Sequence, residues 1–239
     1  MDQRSYNQFC ATARTLDLVG ERWTLLLIRE LLTGPKRFGE LQQRLRGLGT
    51  GLLAARLKHL EREGLVERGT LPPPARTPAY ALTAAGRDLE PVILALARWG
   101  MTWAMGQPRD DEFFEPGWAM LGLKACFDPR SAQRLQAVYE FRIDDDAFYV
   151  RIDGGTIEVA HGPAQHPDAV ITTTGELIRD IAAGRASLAG AVADGTAQAT
   201  GKPEALRRLA GVFRAPTARA RTAALDELGS LQRPARTED

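Results

Sequence analysis

The 239-residue sequence predicts an α+β protein in two parts: a helical first half containing one β-hairpin, then a second half of strands flanked by helices. Three observations predict this. Apolar residues recur at helical spacing through the first half and switch to strict alternation from residue 134. Residues 107–115 (QPRDDEFFE) are polar, acidic and Pro-containing, as a linker is. The charge divides at the same place. Residues 1–108 hold 15 Lys+Arg against 10 Asp+Glu, a net of +5, and residues 109–239 hold 16 against 20, a net of −4, which together give the overall +1. A basic half joined to an acidic half suggests that only the first meets a polyanion.

Residues 12–19 and 23–32 read as helices. In the second, Trp23, Leu26, Leu27, Glu30 and Leu31 fall on helical spacing until Gly34-Pro35 stops it. Residues 37–45 form a short helix with Phe38, Leu41 and Leu45 on one face. Gly47 and Gly49 turn into a longer helix, 50–63, which buries Leu53, Leu57 and Leu60. Thr50 is its expected N-cap and Gly64 its left-handed terminator. Residues 65–68 and 80–82 are strands around a hairpin tip, 71–78, and Thr83 caps a helix running to about residue 105. Three helices, a hairpin and a closing helix make a winged helix-turn-helix, with 50–63 as recognition helix and 65–82 as wing.

In the second half, residues 134–143 alternate, placing Leu135, Ala137, Tyr139, Phe141 and Ile143 on one face. Strands follow at 148–152 and 156–160, joined by Asp153-Gly154-Gly155, and at 169–173. Short helices at 175–183 and 188–193, a strand at 196–200 and a helix at 203–213 complete an α+β domain; 217–231 reads as a further helix. The expected division is therefore 1–108, a linker at 109–116, a second domain at 117–231 and a tail at 232–239.

No apolar run approaches the ~20 residues of a membrane span, and the first residues lack the basic-then-apolar layout of a signal peptide, so a cytoplasmic protein with no membrane partner is expected. Two distant cysteines, Cys10 and Cys126, fit a reducing compartment. Catalytic patterns are missing. Four scattered serines come without a G-x-S-x-G turn, and His161, His166 and Asp168 lack a further ligand for a metal. Gly49-Thr50-Gly51-Leu52-Leu53-Ala54 has dinucleotide-fingerprint spacing, but a helix rather than a strand precedes it. The expectation is no enzyme, no metal and no cofactor.

Several fixed spacings carry a resemblance. They are Cys10 ahead of Leu16-Asp17-Leu18-Val19-Gly20 and Arg22-Trp23-Thr24-Leu25-Leu26, then Arg29-Glu30-Leu31, Gly34, Arg37-Phe38 and Glu40-Leu41. They continue through Leu53, Arg56-Leu57, Leu60-Glu61, Gly64-Leu65-Val66, Tyr80, Leu82-Thr83, Gly86 and Pro91. This stretch, Cys10 to about residue 104, resembles the HxlR family of winged-helix regulators, cousins of the MarR group. The resemblance implies a homodimer, formed through the N-terminal and closing helices, that binds double-stranded operator DNA. Candidate DNA contacts are Lys36 and Arg37 at the preceding helix, Thr50, Arg56, Lys58 and His59 on the recognition helix, and Arg76 at the wing tip. Capping for Thr50 and a surface ion pair for Arg56 are the plainer alternatives. Cys10 stands where the family often has a redox-active thiol; with no basic cluster beside it, it also reads as a small buried hydrophobe.

Val138-Tyr139-Glu140-Phe141, Arg151-Ile152-Asp153-Gly154-Gly155, Pro167-Asp168-Ala169, Gly184 and Thr200-Gly201 make residues 117–213 similar to a sterol-carrier-protein type domain. That likeness implies a cavity for hydrophobic molecules. Trp99, Trp103, Phe113, Phe114, Trp118, Phe127, Tyr139 and Phe148 are the candidate ligand contacts, with core packing as the plainer alternative. The expected function is a transcription regulator, a repressor, whose DNA affinity responds to a hydrophobic or aromatic small molecule. A carrier or sequestering protein with little DNA-binding role is the alternative.

Overall fold

The computed structural model describes residues 5–71, 76–109 and 111–214. The chain packs as two compact units, Met1–Leu94 and Ala95–Asp239. The division falls inside a helix rather than at 108/109. The helix expected at 217–231 and the tail at 232–239 lie outside the described residues.

The first unit orders as α1 (Ala11–Val19), α2 (Thr24–Leu32), α3 (Phe38–Arg44), α4 (Thr50–Arg62), β1 (Val66–Thr70), β2 (Pro78–Leu82), α5 (Ala84–Arg87) and the start of α6 (Glu90–Trp103). Leu27, Ile28, Leu41, Leu53, Leu57 and Leu60 are fully buried, the apolar stripes of α2, α3 and α4 turned inward. α4 ends in a Schellman motif. Gly64 sits at φ +70°, its N–H donates to Glu61 O at 3.0 Å, and Leu65 N–H donates to Leu60 O at 2.9 Å. β1 and β2 pair antiparallel from Val66↔Leu82 to Thr70↔Pro78, and Lys36 adds a bridge to Tyr80. The strands therefore reach further toward the tip than expected, taking in Pro78.

The helix expected from Thr83 to about residue 105 is two helices. Thr83 does cap the first, its hydroxyl accepting from Gly86 N–H at 3.2 Å. Pro91 ends the continuity: it has no N–H to give, and its ring clashes with a carbonyl four residues back. Gly86 is there for close approach. A Cβ at this position would stand 2.0 Å from Leu65 O, where the wing leaves α4. Gly86→Ala should cost roughly 1–3 kcal/mol of overpacking, read as a lower urea midpoint at unchanged slope; an unchanged midpoint would contradict this packing.

The second unit holds the rest of α6, then α7 (Pro116–Cys126), β3 (Gln136–Ile143), β4 (Asp146–Asp153), β5 (Thr156–His161), β6 (Ala169–Thr173), α8 (Gly175–Ala182), α9 (Leu188–Asp194), β7 (Gln198–Gly201) and α10 (Pro203–Leu209). The five strands run in the order β5-β4-β3-β6-β7, with β3 and β6 parallel and the other pairs antiparallel. One sheet face carries Tyr139, Phe141, Ile143, Phe148, Val150, Ile152 and Ile171 into a core shared with Met120 of α7 and Ala205 and Leu209 of α10. The Asp144 side chain accepts Gly175 N–H at 3.1 Å and so holds the start of α8.

Candidate nucleic-acid interface

α3 and α4 form the helix-turn-helix, and their junction is tightly specified. Glu40 Oε2 accepts the Arg37 backbone N–H at 2.6 Å, tying down the first turn of α3. Trp23, in the left-handed region at φ +79°, lies beside Gly47 in the α3–α4 turn. Thr50 is the first helical residue rather than the N-cap, a position Gly49 fills. Its hydroxyl is free of capping work and accepts from Gln42 Nε2 at 2.5 Å, cross-linking the two helices at the exposed surface.

With Leu53, Leu57 and Leu60 facing the core, the outer face of α4 presents Gly51, Ala54, Ala55, Lys58 and Arg62. Lys58 is exposed, and Arg62 keeps 60% of its side chain in solvent while donating to Glu63 Oε1. The small residues keep this face low, and the two cations give it positive charge of the kind that binds phosphates. Gln42, Gln43 and Arg46 are exposed on α3 and the following turn. Sequence reasoning missed these three and Arg62, although Arg62 stands four residues beyond Lys58 and so on the same face.

The other expected contacts divide. Arg76 is exposed, at φ +39°. Arg37 is half-buried, its Nε enclosed, and Lys36 donates to Gly34 O at 3.1 Å and Thr33 O at 3.3 Å, closing the end of α2. Arg56 and His59 are turned away from the outer face. Arg56 Nη2 pairs with Glu21 Oε2 at 2.8 Å, and His59 Nε2 meets Leu18 O at 3.0 Å. The plainer alternative for Arg56, an ion pair, is the arrangement found.

Beneath the surface Glu30, with no exposed side chain, pairs with Arg29 at 2.6 Å and Arg44 at 3.9 Å, joining α2 to α3. A buried acid between two arginines fixes orientation more than it adds stability.

Cys10 is exposed at the N-cap of α1, which corrects the reading as a buried hydrophobe. Backbone N–H groups of Ala13 and Thr12 point at the sulfur and hold its pKa below the usual thiol value. Cys126 is the reverse case: burial raises its pKa, and its Sγ lies 3.7 Å from Met101 Sδ. At pH 8 Cys10 should react with iodoacetamide faster than Cys126, since it is exposed with its pKa lowered while Cys126 is partly buried with its pKa raised; equal labelling rates by mass spectrometry would contradict this.

The expected ligand aromatics do not form one cluster. Tyr139 and Phe148 belong to the core. Tyr139 donates to Ala205 O at 3.0 Å, burial pushes its pKa up to about 12, and Phe148 stacks on Phe141 at 5.3 Å. Phe127 pairs with Phe213 at 6.1 Å. Phe113 and Phe114 pack on Trp118 at 5.2 and 6.2 Å, and Trp103 is half-buried while Trp99 is 61% exposed on α6. A cleft of about 180 Å³ is lined by Leu135, Gln136, Asp168, Lys202, Glu204 and Arg208 among others, and none of the eight aromatics lines it.

Residues 18–108 match the HxlR-like helix-turn-helix family model. An HTH-type transcriptional regulator of Synechocystis is 36% identical over 94 residues, which are 39% of this chain and 70% of that one. The chain belongs to the HxlR-like helix-turn-helix family. The HTH-type transcriptional regulator YodB of Bacillus subtilis is likewise 37% identical over 100 residues, 42% of this chain and 80% of that one. The first unit of this HxlR-like protein is thus a DNA-binding regulator module. Residues 126–219 match a different model from the sterol carrier expected there, described as alkyl sulfatase C-terminal. A sec-alkylsulfatase from Pseudomonas shares 18% identity over 42% of this chain and 16% of that enzyme, with a TM-score of 0.38. Among the described residues no helix is long and apolar enough to cross a membrane.

Proposed function

We propose that this HxlR-like protein is a homodimeric repressor that grips duplex DNA through α4 and the wing, and that its second unit senses a hydrophobic or aromatic small molecule. The observation that carries the DNA part is the outer face of α4, where Lys58 and Arg62 flank small side chains while the inner leucines anchor the helix. The dimer reading rests on exposed apolar side chains. Val92, Leu96 and Trp99 stand at i, i+4 and i+7 on α6, exposed by 42%, 48% and 61%, and Phe9 and Leu16 are exposed at and on α1. A row of this kind on a helix marks a partner surface.

The sensing reading rests on the accessible aromatics and on α6. α6 carries Trp99 and Trp103, and its residues fall in both units. The second unit is taken as a binding module rather than a reacting one. A ligand shifts DNA affinity only if it prefers one arrangement of the dimer, and DNA must then change ligand affinity by the same factor. The test combines a gel shift on DNA upstream of the protein's own gene with titration of 1-anilinonaphthalene-8-sulfonate, read by tryptophan quenching with and without that DNA. Retarded duplex and displaced titration curves are expected. Superimposed curves for a probe that binds would refute the coupling, and an unretarded duplex would refute its own operator as the target.

A further inference from the structure

Two polar side chains of α4 bond to the end of α1 and the turn that follows it instead of facing outward. Arg56 is only 19% exposed; its Nη2 donates to Glu21 Oε2 at 2.8 Å and its Nε to Arg22 O at 3.4 Å. Three residues on, His59 Nδ1 lies 2.8 Å from Arg62 Nη2 and Nε2 lies 3.0 Å from Leu18 O. A guanidinium has only donors, so Nδ1 accepts, Nε2 carries the ring proton, and that N–H donates to the carbonyl. The packing of Leu53, Leu57 and Leu60 holds α4 down, but apolar contact is non-directional and sets the roll and slide of a helix loosely. Hydrogen bonds are directional, and two of them at i and i+3 on one face fix both.

We infer that Arg56 and His59 are positioning residues that set the presentation of α4 by strapping it to Leu18, Glu21 and Arg22, and that neither reads DNA. This rests on α4 being the DNA-binding helix. It differs sharply from the alternative in which Glu21 merely parks Arg56 until a phosphate takes it. If Arg56 waits for a phosphate, removing Glu21 frees it and tightens binding. If Arg56 positions α4, removing Glu21 loosens binding as removing Arg56 does.

The test is a double-mutant cycle on the full chain, with affinity for a selected duplex measured by fluorescence anisotropy across a salt series. Arg56→Ala and Glu21→Ala are each expected to weaken binding about 5- to 30-fold, with the double variant no weaker than the worse single. The slope of log affinity against log salt should stay at the wild-type value. His59→Gln, which keeps a donor for Leu18 O, should stay within about threefold of wild type, and His59→Leu should fall with Arg56→Ala. Glu21 is half-exposed, so Glu21→Gln supplies a variant whose fold is not at stake. Tighter binding by either Glu21 variant, or a slope flattened by about 0.9 in Arg56→Ala, the loss of one neutralised phosphate, would overturn the inference while leaving the DNA-binding reading intact. A wild type that binds no duplex would overturn both.

Discussion

Reversing Lys58 and Arg62 together to glutamate should lower affinity for duplex DNA at least a hundredfold near physiological salt. Both side chains stand on the outer face of α4, with the core leucines on the opposite side. Each cation that neutralises a phosphate contributes about −0.9 to the salt slope, so the pair should remove nearly two units of it. Two added carboxylates then repel the same phosphates, and each tenfold loss corresponds to about 1.4 kcal/mol. Arg62 also touches His59, so part of the double variant's loss reflects the strap to α1. Lys58→Glu alone isolates the electrostatic share, at about tenfold. Folding of the Lys58→Glu single variant should be unaffected, since exposed substitutions away from special features usually stay within about 0.5 kcal/mol. An affinity within threefold of wild type would remove α4 from the interface.

The second large effect is on assembly. Leu96→Glu with Trp99→Glu should convert a dimer of about twice the 26.1 kDa chain into a monomer. Both side chains lie largely in solvent on one face of α6, so charge there costs the lone chain little and a paired face a great deal. Operator affinity should fall by about 10²–10⁴, because the second half-site then has to be captured from solution rather than intramolecularly. Light scattering that gives 26.1 kDa for the wild type at micromolar concentration would contradict the dimer.

Much of the first unit was legible because its signals are local. The leucine spacing of α4, the Gly64 terminator and the Thr83 cap are each decided within a few residues. The break before α6 was legible too, in Pro91, but the apolar period running across it masked the stop. α7 went unread for a different reason. Its sequence PGWAMLGLKAC buries Gly117, Met120, Leu121 and Ala125 and is apolar on nearly every side, so no helical period stands out.

The site was less legible than the fold. Thr50 and Lys58 face outward as expected, but Arg56 and His59 are claimed by groups 35 and 41 residues away, and no spacing announces a long-range hydrogen bond. Cys10 reads as a small buried hydrophobe because no basic cluster stands beside it in sequence, yet the groups that lower its pKa are backbone N–H groups, which no side-chain pattern reveals. Beginning the helix at Ala11 makes Cys10 its exposed cap. Tyr139 and Phe148 show the opposite failure. Their alternation on β3 and β4 already marked them as core-facing, and counting them as ligand contacts gave aromatic character more weight than strand periodicity.

Titrating a labelled duplex, selected from random sequence by the full-length protein, across a salt series is the most direct check that this chain is a DNA-binding dimer. Saturation at two chains per duplex is expected, with log affinity falling linearly against log salt at a slope of about −5 to −9, as 6–10 phosphate contacts require. Selection that enriches no sequence, or binding whose strength does not change with salt, would contradict it.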